Sequence, residues 1–229
     1  MFTHCDDFKE AFKSIEQINE DNVRYYKVEG NNCYPSITSV ISFINRKKFA
    51  DWRARVGNEE ANRKCKKGTT RGTKFHLVNE YYIKNEGYTE LDEYKVPLIE
   101  LMFKANKFYL DTRIDNIYYQ EERMYSDRLC LAGTVDLVCE VDGELSIVDF
   151  KTSAKEKPEE WLEDYFVQLS AYWAMFSEKT GVVPKKLVVW LVAEDGHVQI
   201  VERRNIMYYL TTLQDYVSKF VQHRDAPIQ

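Results

Sequence analysis

Residues 133–153 read GTVDLVCEVDGELSIVDFKTS, and the fold turns on how that stretch pairs with itself. Asp142-Gly143 lies between two runs rich in β-branched and apolar residues, the signature of a two-residue hairpin loop. With those two residues as the loop, Val141 faces Glu144, and counting back along both strands sets Asp136 directly opposite Asp149. Their Cβ atoms then stand about 4.5–5.5 Å apart on one face, where like charges repel unless something neutralises them. Lys151 falls on that same face, two residues on. The other face takes Val135, Leu137, Cys139, Val148 and Phe150 and is expected to pack on the core.

A cation accounts for the polar face. Paired carboxylates are hard oxygen ligands suited to Mg²⁺ or Mn²⁺, and an adjacent Lys positions water or stabilises charge developing on a phosphate. The competing reading is a solvent-facing strand on which Asp136 and Lys151 form a surface pair of little consequence. Gly133-Thr134 before Asp136 and Ile147-Val148 before Asp149 place both carboxylates inside strands rather than at their tips. Downstream, Gln168 and Tyr172 are four apart, so an amide and a phenol project from one helical face.

Outward from the hairpin, 117–125 reads as a preceding strand. A helix over about 159–179, strands at 186–193 and 197–202, and a closing amphipathic helix near 206–221 follow. Upstream, apolar positions recur at helical spacing: Phe8, Phe12, Ile15 and Ile18, then Val40, Ile41 and Ile44, then Phe75, Val78 and Tyr82, then Leu98, Leu101, Met102, Ala105 and Tyr109. The first 110 residues are thus expected to be mostly helical, interrupted by one extended segment at 23–28, with Ser36 as an N-cap after Tyr34-Pro35. Helices, a β meander, a crossover helix and further strands imply an α/β fold, a mixed sheet with helices on both sides. No repeat or Gly/Ser linker divides the chain, so one domain over 1–229 is expected, helical to about 112 and sheet-centred over about 113–222.

At 229 residues, with 44% hydrophobic and 30% charged positions, the composition is that of a soluble globular protein and excludes collagen-like or disordered classes. Cys5, Cys33, Cys65, Cys130 and Cys139 show neither C-x-x-C nor Cys/His zinc spacing, which fits a reduced compartment. The N-terminal MFTHCDDFKE has no basic n-region or apolar h-region, so no signal or transit peptide is evident and a cytoplasmic location is expected. The longest apolar run, 187–193, is far below the roughly 18 residues of a membrane span.

The net charge of -5 speaks against a polyanionic partner until charge is counted locally. Between 46 and 74 stand eleven bases (Arg46, Lys47, Lys48, Arg53, Arg55, Arg63, Lys64, Lys66, Lys67, Arg71 and Lys74) against Asp51, Glu59 and Glu60. That is a local +8, leaving -13 for the rest of the chain. Phe49 and Trp52, interleaved among these bases, suit stacking on single-stranded bases, while the alternative puts Trp52 in the core.

Gly-Thr-Val-Asp136, Val-Asp149-Phe-Lys151-Thr-Ser, Gln168-Leu-Ser-Ala-Tyr172, Arg71-Gly-Thr-Lys-Phe-His76 and Pro35-Ser-Ile-Thr-Ser-Val40 together resemble the RecB-like branch of the PD-(D/E)XK nuclease superfamily, over roughly residues 34–200. Within that branch the chain looks most similar to the mitochondrial genome maintenance exonuclease and related phage exonucleases. The resemblance implies a restriction-endonuclease-like core with an N-terminal helical layer. It also implies His76, Asp136 and Asp149 as ligands of one or two Mg²⁺ or Mn²⁺ ions with the Phe150 carbonyl as a further ligand, Lys151 as catalytic lysine, and Gln168 and Tyr172 as the element that orients the lysine or contacts DNA. Glu121 matches the family's strand glutamate, with Glu122 the competing choice. The four-cysteine pattern of iron-sulfur relatives is missing, so no cluster is expected.

The resemblance implies a metal-dependent DNA exonuclease of replication, repair or recombination, acting on single-stranded DNA or single-stranded ends and flaps. DNA would bind along Arg46, Lys47, Lys48, Trp52, Arg53, Arg55, Lys64, Lys66, Lys67, Arg71 and Lys74. Because the basic window ends near His76, phosphate attraction and chemistry are expected side by side. No helicase segment or Walker A loop is present, so unwinding falls to others, and a single-strand-binding or recombination protein is the expected partner. The rival readings are a structure-specific or restriction-type endonuclease on the same core and a catalytically silent nucleic-acid-binding module.

Overall fold

The computed structural model describes residues 1–8, 10–12, 15–20 and 23–224. In chain order its elements are β1 (Glu16–Glu20), β2 (Val23–Lys27), β3 (Cys33–Pro35), α1 (Ile37–Ile44), α2 (Arg46–Val56), α3 (Asn58–Ile83) and α4 (Pro97–Arg113). These are followed by β4 (Ile114–Ser126), β5 (Leu131–Val141), β6 (Glu144–Ser153), α5 (Glu163–Thr180), β7 (Lys186–Ala193), β8 (Val198–Arg203) and α6 (Ile206–Arg224).

The hairpin forms as its loop dictates. Asp142 and Gly143 have φ of 52° and 72°, the two left-handed residues that a tight turn matched to strand twist requires. Val141 accordingly pairs with Glu144, and the register runs without a slip to Leu137 opposite Val148. The main sheet has the order β4-β5-β6-β7-β8, antiparallel except for β6 and β7, which the α5 crossover makes parallel. All eight residues of β7, KLVVWLVA, are buried, as befits a central strand covered on both faces.

Each face of the sheet carries its own core. Val138, Ile147, Val189 and Leu191 pack against α1, α5 and α6 through Ile37, Phe166, Leu169 and Leu213. Leu137, Cys139, Val148, Phe150 and Trp190 pack against α3 and α4 through Phe75, Val78, Met102 and Phe103. Trp190 is fully buried and donates its indole N–H to Asn106 Oδ1 at 2.7 Å, which satisfies the polar edge of a large apolar ring. Ser36 caps α1 as expected, accepting from the Ser39 N–H at 3.0 Å.

Three expectations are corrected. The segment around Ile18 is not helical: Ile18 lies in β1, and β1, β2 and β3 form a small antiparallel sheet, while positions 9, 13 and 14 of that stretch lie outside the described residues. Phe8 and Phe12 still reach the core, but from turns, so their spacing imitates a helix without forming one. On α4 the buried stripe is Ile99, Met102, Phe103, Asn106 and Leu110, whereas Leu101 and Tyr109 are exposed. Val135 packs with the α1/α5 core rather than with Leu137 and Cys139, so alternation breaks between 135 and 137, beside the positive φ of Glu121 on the facing strand. Among the described residues no helix is long and apolar enough to cross a membrane.

Candidate active site

Asp136 lies one residue beyond the last paired position of β5. Freed from the ladder, its Oδ2 accepts the Phe150 backbone N–H at 2.7 Å, so the carboxylate continues the β5–β6 pairing in place of a backbone carbonyl. Asp149 is only 1% exposed. Its Oδ1 accepts from Gln168 Nε2 at 3.2 Å, its Oδ2 is ion-paired with Lys151, and Gln168 Nε2 also reaches the Tyr172 hydroxyl at 3.2 Å. Lys151 therefore pairs with Asp149, not with Asp136 as the bland surface reading has it. Its ammonium also sits 5.1 Å from the Tyr165 ring, whose hydroxyl accepts from Lys157 at 2.9 Å.

His76 reaches the same place from α3. Its Nδ1 is 3.6 Å from Asp136 Oδ2 and 4.0 Å from Glu121 Oε1, and one ligand atom from each of the three residues falls within 4.8 Å of the others. Glu121, not Glu122, belongs to this group. The reason is local: Gln120 pairs with Leu137 and Glu122 with Val135, and Glu121 between them adopts a φ of 51° that breaks the strand's alternation. A non-glycine residue held in that region is strained, and such strain concentrates at functional positions.

The electrostatics follow from crowding acids under cover. Burial pushes the Asp149 carboxyl up to about 6 against the pull of Lys151, with the Asp136 charge adding to the rise. Burial likewise raises Asp136, although His76 and Lys151 oppose it. For His76 burial works against the cation, yet the Asp136 charge and the Glu121 carboxylate outweigh it and lift the imidazole to about 9. Burial also works against the Lys151 ammonium, but Asp149 and Asp136 hold its pKa above the ordinary value. Negative charge is in excess, and one imidazole with two carboxylates is a donor set that fits a hard divalent cation.

A further determinant, Gly133, is visible only in three dimensions. A Cβ there would stand 2.7 Å from Tyr172 Cε1, 3.1 Å from its hydroxyl and 3.3 Å from Ile37 Cγ2. Glycine thus leaves room against β5 for the buried tyrosine ring, whose hydroxyl accepts from Gln168. Gly133→Ala is expected to cost about 1–3 kcal/mol, in the range of core overpacking. The displaced Tyr172 would also loosen Gln168 from Asp149. Thermal unfolding should show the loss of stability and a cleavage assay a reduced rate, and an unchanged melting temperature would show that the contact yields freely.

The basic window divides between two helices. No residue of α2 is buried, and Lys47, Lys48 and Arg55 make no ion pair among the described residues. Arg46 instead stacks 3.7 Å from the Phe43 ring, and Arg53 donates to Asn62 Oδ1 at 2.8 Å. Phe49 is 48% exposed and its ring centroid lies 5.4 Å from that of Trp52, which is partly buried rather than a core residue. On α3, Arg63 and Lys64 pair with Glu60, Lys67 and Arg71 pair with Glu194, and Lys66 and Lys74 make no ion pair among the described residues.

At about 100° per residue, Lys67, Arg71 and Lys74 fall on the side of α3 away from His76. Lys67 and Arg71 instead reach Glu194 and Thr152, at the end of β6 just past Lys151. Arg63, Lys66, Lys67, Thr70, Arg71 and Lys74 line an open groove with Val96, Leu98 and Ile99.

A family model described as the PD-(D/E)XK nuclease superfamily matches residues 84–226, which include Glu121, Asp136, Asp149, Lys151, Gln168 and Tyr172 and leave out His76 and the basic helices. No curated protein matches the chain.

Proposed function

This chain belongs to the PD-(D/E)XK nuclease superfamily, and from that membership we propose that it is a RecB-like, Mg²⁺- or Mn²⁺-dependent exonuclease acting on single-stranded DNA or single-stranded ends. The observation that carries the reading is the meeting of His76, Glu121 and Asp136 at the sheet end where Asp149 is paired with Lys151. His76, Glu121 and Asp136 would hold the cation, and the Asp149 carboxylate and Phe150 carbonyl on β6 complete the proposed ligand set. When bound, a divalent cation supplies Lewis acidity toward the phosphate and lowers the pKa of a water. Lys151 faces charge that develops on the phosphoryl oxygens, with Asp149 and the Tyr165 ring confining its ammonium. Gln168, braced by Tyr172, fixes one oxygen of Asp149 and so the direction of the other.

Support for a single-stranded substrate comes from α2, a helix with no buried residue that carries the adjoining Phe49 and Trp52 rings together with Lys47, Lys48 and Arg55, which make no ion pair among the described residues. Aromatic faces beside a basic track suit unstacked bases and a flexible backbone. The test is digestion of end-labelled linear single-stranded, linear duplex and circular single-stranded DNA with Mg²⁺, Mn²⁺ or EDTA. Linear single strands should be shortened from an end with either metal, circles should survive, and EDTA should stop the reaction. Cutting of circular single strands would replace the exonuclease by an endonuclease on the same core.

A further inference from the structure

Arg71 reads in the sequence as one base of a DNA-binding series, but the folded chain uses it internally. Its side chain is 10% exposed, and three of its nitrogens already have partners. Nε donates to Thr152 Oγ1 at 3.0 Å, Nη2 donates to the Thr152 carbonyl at 3.1 Å, and Nη1 is ion-paired with Glu194 Oε1. Glu194 is itself anchored, since its N–H donates to the Ser153 carbonyl at 3.0 Å and its other carboxylate oxygen accepts from Lys67 at 2.8 Å. Three of its five N–H donors are thus committed within the chain, although the residue also borders the open groove of Arg63, Lys66 and Lys74.

The contacts join two elements that supply the site from different parts of the chain. Thr152 follows Lys151 on β6, and Arg71 precedes His76 by five residues on α3, roughly 7.5 Å along the helix axis. Between them α3 approaches β6 closely at Gly72, where a Cβ would lie 3.7 Å from Thr152 Oγ1. The planar fork of an arginine suits such a junction, because two parallel donors to one residue and a third to a carboxylate fix orientation as well as distance.

We propose that Arg71, clamped between Thr152 and Glu194, is a positioning residue that sets His76 of α3 against Asp136 and Glu121, rather than a contact to DNA. The inference rests on the nuclease reading of the site. Without the clamp α3 keeps its apolar packing through Phe75 and Val78 but loses the polar contacts that fix it to the end of β6. A displacement of about 1 Å at a catalytic centre costs on the order of 10²-fold in rate, and loss of a group that orients a metal ligand costs about 10–100-fold in metal affinity.

The test compares Arg71→Gln, Glu194→Gln and Thr152→Val with the wild-type chain in three measurements. These are binding of a fluorescent single-stranded 20-mer in EDTA across a salt series, the Mn²⁺ concentration giving half of the metal-induced thermal shift, and kcat with KM on the same oligonucleotide. A DNA contact and a clamp predict different results. If Arg71 is the clamp, its replacement leaves DNA affinity within about twofold and the salt slope unchanged, while kcat falls about 10–100-fold and the Mn²⁺ midpoint rises about tenfold. Glu194→Gln should move the same two quantities in the same direction, and the double variant should be no worse than Arg71→Gln alone.

A loss of about 0.7 from the salt slope in Arg71→Gln, with the Mn²⁺ midpoint unmoved, would make Arg71 a phosphate contact and overturn the proposal. So would tighter DNA binding by Glu194→Gln with kcat unchanged. Should Arg71→Gln fail to fold, the Thr152→Val and Glu194→Gln variants decide the matter. A wild-type chain that binds Mn²⁺ and DNA without cleaving would refute the nuclease reading and leave the metal-midpoint and salt-slope measurements free to judge the clamp.

Discussion

Lys151→Ala is expected to lower kcat by about 10²–10³-fold, the cost of removing one preorganised group that faces developing charge, with DNA binding retained. Lys151 belongs to β6, its ammonium is ion-paired with Asp149 and lies over the Tyr165 ring, and it opens toward the group formed by His76, Glu121 and Asp136. A lysine that only neutralised Asp149 would act on stability instead, because a carboxylate 1% exposed and stripped of its counter-ion would take up a proton. Single-turnover cleavage and binding of the same labelled strand separate the two roles. Undiminished cleavage by both Lys151→Ala and Asp149→Asn would remove this pair from the chemistry.

Asp136→Asn is expected to abolish the metal response of the protein altogether. A cation bound only by the folded chain stabilises it by about 2.7 kcal/mol at a hundredfold excess over Kd. For a chain of this size that corresponds to a rise of roughly 5–11 °C in melting temperature. The asparagine keeps an oxygen able to accept the Phe150 N–H, so the β5–β6 junction survives. It also removes one of the clustered buried charges, which leaves the metal-free variant at least as stable as the parent. Thermal melts with Mn²⁺ and with EDTA check both statements, and a Mn²⁺-induced shift in Asp136→Asn equal to that of the parent would exclude Asp136 as a ligand.

How much of this was legible in the sequence depends on whether the information is local. Asp142-Gly143 names its turn, the turn fixes the register, and the register brings Asp136 beside β6 with Asp149 and Lys151, all within one hairpin. Gln168 and Tyr172 follow from helical spacing once their helix is recognised. What escaped is non-local or irregular. Periodicity alone could not choose between Glu121 and Glu122, because the left-handed φ at Glu121 breaks the period that such a choice relies on. The basic run of α3 looked continuous with His76 in one dimension, whereas a helix carries Lys67, Arg71 and Lys74 round to its other flank. Arg71 and Gly133 owe their roles to Thr152, Glu194 and Tyr172, residues that stand far from them in sequence. Of the first three strands only β2 was legible, as the extended segment at 23–28; a short, half-exposed strand such as EQINE buries too little to show a pattern.

The connectivity of the sheet also sets an order of assembly. Glu121, Asp136, Asp149 and Lys151 all belong to β4, β5 and β6, a meander whose strands pair with their sequence neighbours and therefore close with little loop entropy. His76 belongs to α3, separated from that meander by all of α4, and it meets Asp136 only when a distant segment docks on the finished sheet. The acidic half and the histidine half of the site are thus joined by a step distinct from the one that builds the sheet. An opening that lifted α3 would strip the imidazole from the centre and leave the carboxylates where they are, and the fully buried Phe75 and Val78 on either side of His76 are what oppose it.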